Sequence, residues 1–147
     1  MKKMLVVAVL LMLLLPGCGQ TESTEEKVES ADPEVEELVA GEVIKVSFIK
    51  LFEEPSVPGA CYLQLLVENK SDQAITVYLT DVYVDGTSIM ASSGVPMEIE
   101  PEKKSQSPFI LFNQKLDDIG TLEFKICAYD GGMSVLEETE TIEIENK

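Results

Sequence analysis

The chain has 147 residues, 45% of them hydrophobic, which suffices for one domain with its own core but not comfortably for two. Its 27 acidic residues stand against 11 lysines, with no arginine and no histidine, giving a formal net charge of −16. A surface of that sign repels phosphate backbones and anionic headgroups, so no nucleic-acid partner is expected and no direct adhesion of the polypeptide to lipid.

Lys2 and Lys3 precede an unbroken apolar run over residues 4–15. A spanning helix needs roughly 20 apolar residues, so this shorter run reads as the apolar region of a secretory signal peptide. Ordinary secretory cleavage uses an Ala-x-Ala-like site, and the run ends instead in Leu15-Pro16-Gly17-Cys18. That tetrapeptide resembles the lipobox of bacterial lipoproteins. The resemblance implies removal of residues 1–17, a covalent diacylglycerol on the Cys18 thiol, and Cys18 as the mature N-terminus. Lipid chains on one residue then hold the protein at the outer face of the cell membrane, through the anchor only.

Composition changes abruptly after Cys18. Residues 19–40 carry eight acidic residues, one lysine and no aromatic residue. Such a segment buries too little apolar surface to offset its ordering entropy, so residues 18–40 are expected to form a flexible acidic tether. Within it, Asp32 as N-cap, Pro33 at the first helical position and Gly41 past the end outline a short helix over 32–40.

From Gly41 onward the apolar period is two. Ile44, Val46 and Phe48 share a face, as do Cys61, Leu63, Leu65 and Val67, and then Ile75, Val77 and Leu79. Val82 and Val84 fall on the opposite parity, which predicts a bulge near Thr80 and Asp81. Asp85-Gly86 then reads as a tight hairpin turn. Further strands are expected at VPMEIE, SPFILF, GTLEFKICAYD and VLEETETIEIE, separated by turns at residues 101–104, 117–120 and 130–132. Seven to eight short strands with almost no helical periodicity predict an all-β, antiparallel two-sheet sandwich over residues 41–147, with a small barrel as the alternative.

The stretches VENKSDQAITVYLTDVYVDG, PEKKSQSPFILF and LDDIGTLEFKICAYD, with a last strand ending ETIEI, resemble immunoglobulin-like domains carried by small lipoproteins of Gram-positive bacteria. The shared features are turns and core positions, so the resemblance implies an immunoglobulin-like sandwich and supplies no catalytic residues. Immunoglobulin domains often bridge their second and sixth strands, which raises a disulfide between Cys61 and Cys127. Parity opposes it: Cys61 lies with core residues, whereas Cys127 alternates with Glu123, Lys125 and Tyr129 on a face read as solvent-exposed. A disulfide and two free thiols both remain open.

Without histidine the usual general base and zinc ligand are missing, and two cysteines do not close a zinc site. Asp117-Asp118 and Glu137-Glu138 are the carboxylate pairs that glycoside chemistry could use, and Asp117, Asp118 and Asp130 are oxygen ligands without calcium-loop spacing. Adjacent acids on turns are more often solvated surface, so neither an enzyme nor a metal site is expected. Tyr62, Tyr78, Tyr83 and Tyr129 alternate with core positions and are expected on sheet surfaces, as a binding patch or as cross-strand pairs. Two functions stay open. One is a displayed binding or adhesion domain for an extracellular protein, peptide or glycan; the other is a structural or accessory lipoprotein assisting a transporter or cell-wall enzyme.

Overall fold

The computed structural model describes residues 35–147. The expected signal peptide, Cys18 and most of the expected tether lie outside the described residues. Eleven strands form among the described residues: β1 (Glu36–Ala40), β2 (Ile44–Glu53), β3 (Ala60–Asn69), β4 (Ile75–Val84), β5 (Thr87–Ser88), β6 (Ala91–Ser92), β7 (Met97–Ile99), β8 (Lys104–Phe112), β9 (Thr121–Tyr129), β10 (Val135–Glu138) and β11 (Ile142–Glu145). A 3-10 turn, Leu116–Asp118, precedes β9.

All pairings are antiparallel, and they build two sheets. The first runs β1-β2-β3-β8-β6, and the second β10-β9-β4-β5, with β11 also on β9 and β7 on β4. Strands β2, β3, β8 and β6 thus follow the A-B-E-D order of an immunoglobulin sandwich, while β4, β9 and β10/β11 occupy the C, F and G positions. The all-β immunoglobulin-like sandwich expected from the sequence is the fold observed.

Period-two patterning places the core as expected. Ile44, Val46, Leu63, Leu65, Val67 and Leu111 from the first sheet meet Ile75, Val77, Leu122, Phe124 and Ile126 from the second, all at most 1% exposed. The parity switch in β4 is a bulge: register shifts between Thr80 and Tyr83, and Asp81 takes a positive φ of 50°. Asp85 (φ 48°) and Gly86 (φ 75°) make the two-residue turn into β5, positive at both positions as the primed hairpin turns require. Pro108 sits where β8 has only β3 beside it, a position that a residue without an N–H can occupy.

Three expectations need correction. The strand count is eleven rather than seven or eight, partly because the last expected strand divides. The Thr139 hydroxyl accepts the Ile126 N–H at 3.0 Å while the Thr139 N–H donates to the Ile126 carbonyl at 2.9 Å, so a side chain replaces a ladder carbonyl and splits β10 from β11. Residues 36–40 form no helix. They pair with β2 as an edge strand, and Leu38 and Val39 pack on the core, a tertiary gain that outweighs the marginal stability of so short a helix. β1 thus joins the first sheet ahead of residue 41. Cys127, read as solvent-facing, is 1% exposed, and Tyr62 is 8% exposed.

Candidate functional site

The two cysteines occupy the strands that an immunoglobulin disulfide would join, but opposite sides of the second sheet separate them. Cys61 on β3 belongs to the apolar core, and Cys127 on β9 lies on the outer face in register with Tyr78. Both are free thiols. Parity gave the face of Cys127 correctly. Its burial arises from neighbours: Tyr78 directly across and Tyr129 two residues along, whose rings meet edge to face at 5.6 Å. Hydrogen bonding to the neighbouring Cys127 sulfur pushes the Tyr129 phenol above its usual range. Burial pushes the Cys61 thiol up.

The four tyrosines do not form one patch. Tyr62 lies on the other sheet, stacked on Phe52 at 5.2 Å and flanked by Ile110, which explains its burial. Tyr78 and Tyr129 are half-buried partners, and Tyr83 alone is exposed, beside Ser88 and Glu123. Cross-strand pairing accounts for Phe52–Tyr62 and Tyr78–Tyr129.

Glu137, Glu138 and Asp130 are engaged structurally. Glu137 reaches from β10 to the β1–β2 loop, where its carboxylate accepts the N–H groups of Glu42 at 3.1 Å and of Val43 and Ile44 at 2.8 Å each. A Cβ at Gly41 would overlap that carboxylate, so the glycine makes room for it. Lys70 donates to the Gly41 carbonyl on the same loop. Glu138 and Asp81 share Lys125, at 3.6 and 3.1 Å. Asp130 caps its own turn, accepting the N–H groups of Gly132 and Ser134. Asp117 and Asp118 lie in the 3-10 turn, and among the described residues no group of three or more His, Cys, Asp or Glu could hold a metal ion.

A feature that sequence reasoning missed is a groove of about 720 Å3 along one side of the sandwich, within the size range of small-ligand and peptide sites. It opens where β1 stops. β1 pairs with β2 only as far as Glu36 opposite Phe48, and a register shift at Ile49 then bends β2 before Lys50. The opposite wall is β11, which among the described residues pairs only with β9. Leu38, Phe48, Leu51, Leu116 and Ile144 supply an apolar floor. Glu36, Glu143 and Glu145 provide carboxylates around it, with Lys50 and Lys147 as the cations. The Lys50 ammonium sits 4.7 Å above the Phe52 ring.

Polar hooks hold the groove open from below. The Asn146 amide donates to the carbonyls of Leu116 at 2.9 Å and Ile119 at 3.0 Å, and the Leu116 N–H donates to the Glu53 carboxylate at 2.6 Å. The 3-10 turn is thereby tied to both walls. No pattern in the sequence announces this site, because its parts come from residues 36–51, 116 and 143–147, joined only by the sheet topology.

No known family profile matches the chain, and no curated protein matches it. Among solved structures it is similar to the GAE domain of GGA1 from yeast, at 15% identity over 75% of this chain and 96% of that one, with a TM-score of 0.47. The GAE domain of GGA2p from Saccharomyces cerevisiae gives the same identity and TM-score over 77% and 99% of the two chains. A FixG-related protein from Vibrio parahaemolyticus is similar at 14% identity over 73% and 99%, with a TM-score of 0.41. No residue role is carried over from these likenesses. The chain's own strand order defines an immunoglobulin-like sandwich. Among the described residues no helix is long and apolar enough to cross a membrane.

Proposed function

We propose that this chain is a lipoprotein of the small Gram-positive type, anchored at the outer face of the cell membrane through Cys18, and that its sandwich is a non-catalytic binding domain. The groove between β2 and β11 carries the reading, because it joins an apolar floor to a strand edge that has no strand partner among the described residues, a combination suited to holding an extended segment of another protein. Of the carboxylates named as candidates for chemistry, Glu137 is held by backbone amides and Glu138 by Lys125. Leu15-Pro16-Gly17-Cys18 after a short apolar run supports the anchor.

Fractionation of intact cells tests this reading. The wild-type chain is expected in the membrane fraction and to be removed by protease added to intact cells, whereas Cys18→Ser leaves the membrane fraction. Retention of Cys18→Ser in the membrane pellet, or protection of the wild type from external protease, would contradict it.

A further inference from the structure

We infer that the groove takes an extended peptide bearing lysine or arginine, which adds as a strand to the outer edge of β2 over Ile49–Glu53. The inference deepens the binding reading above and depends on it for biological meaning, though not for its test. Three observations support it.

First, the edge is open. β2 continues pairing with β3 through Glu53, but its outer side has no strand partner beyond Phe48 among the described residues. An unpaired run of backbone donors and acceptors is a template for another strand. Second, Ile49, Leu51 and Phe52 along this edge are half-buried, so alternate side chains of an added strand meet apolar surface already partly withdrawn from water. Third, the charge selects the occupant. Glu36, Glu143 and Glu145 border the groove, while Lys50 is drawn onto the Phe52 ring, leaving Lys147 as the remaining cation in the lining. Both acids on β11 are exposed.

The same charges disfavour the competing occupants. A second copy would bring together two chains of net charge −16. The chain's own residues Asp32-Pro33-Glu34 are acidic, of the same sign as the carboxylates bordering the groove.

The test uses the chain from residue 18 carrying Cys18→Ser, and an end-blocked heptapeptide of alternating valine and lysine as probe. Amide chemical shifts and hydrogen exchange are followed by NMR, with a valine–glutamate heptapeptide as comparator. The expected result is perturbation confined to residues 49–53, 116 and 143–146, new exchange protection on the outward amides of β2, and no binding of the glutamate peptide. Glu143→Lys combined with Glu145→Lys is expected to weaken the lysine peptide at least tenfold without lowering the melting temperature, since Glu143 lies opposite Glu123 on β9. Perturbation elsewhere, equal binding of both peptides, or indifference to the double charge reversal would overturn the inference. So would protection of Ile49–Glu53 before peptide is added, which would assign the edge to the chain's own segment or, if concentration-dependent, to a second copy. A negative result here leaves the anchor and display reading intact, since fractionation tests that separately.

Discussion

Asn69 is the polar group whose removal the fold should tolerate least. It is fully buried at the end of β3, and its amide donates to the carbonyls of Gln73 at 2.7 Å, Ile99 at 3.0 Å and Glu100 at 3.2 Å. Its Oδ1 accepts the Ser71 N–H at 2.9 Å and the Ser71 hydroxyl at 2.7 Å. One side chain thereby joins the β3–β4 turn of one sheet to the end of β7 in the other. Asn69→Ala removes two well-formed donor contacts at about 1 kcal/mol each and leaves at least one buried carbonyl unpaired at about 1–3 kcal/mol, for a loss of about 4 kcal/mol. For a domain this size the melting temperature should fall by roughly 15 °C, a large fraction of the ordinary 5–15 kcal/mol of stability. Urea denaturation followed by circular dichroism measures it, with a lower midpoint and an unchanged slope. A loss below about 1 kcal/mol would refute the reasoning, since it would mean the carbonyls find water once the amide is gone. Asn69→Asp refines the test. The introduced carboxyl faces three carbonyls in a buried site, so its folded pKa lies above the unfolded value near ~3.9. The stability it contributes is present below that value and is lost as pH rises through the folded pKa, so this variant should be more stable in acid than at neutrality relative to wild type.

Glu137→Ala should cost about 2 kcal/mol, because three backbone donors lose one charged acceptor that is half exposed. Gly41→Ala should destabilise through the same contact, so the double variant should be clearly less damaged than the sum; additive losses in thermal melts would count against the clamp. Thiol titration of the Cys18→Ser chain in denaturant without reductant should find two free thiols, where a disulfide would give none. Burial raises the Cys61 pKa above its ordinary value of 9.0, so its contribution to stability is complete below that pH and declines as pH rises through the folded pKa. Melts between pH 8 and 10.5 should therefore show a steeper alkaline fall for wild type than for Cys61→Ala, and parallel curves would contradict it.

Much of the fold was legible because burial in a sandwich imposes a period of two. Ile44 through Val67, the parity switch at Thr80 and Asp81, and the Asp85-Gly86 turn could each be read from spacing. Residues 36–40 could not, since pairing with β2, a partner outside any local window, decides whether they are strand or helix. Alternation assigned Cys127 and Tyr62 to outer faces correctly, but it carries no information about what covers a face. Tyr78 and Tyr129 do so for the first, and Phe52 and Ile110 for the second. The candidate site was the least legible part. Its walls meet only because β1 ends early, β2 bulges at Ile49 and β11 returns along β9. Glycines beside carboxylates, Gly41 with Glu137 and Gly120 with Asp85, are visible in the structure as close approaches of side chain to backbone, with no signal in the sequence.

The account depends most on Cys18, the residue that would turn a small acidic sandwich into a display domain. Intact-mass spectrometry of the protein extracted from membranes tests it directly. The predicted result is a chain that begins at Cys18 and carries the added mass of a diacylglycerol. A chain that retains residues 1–17, or one cut elsewhere without lipid, would contradict it.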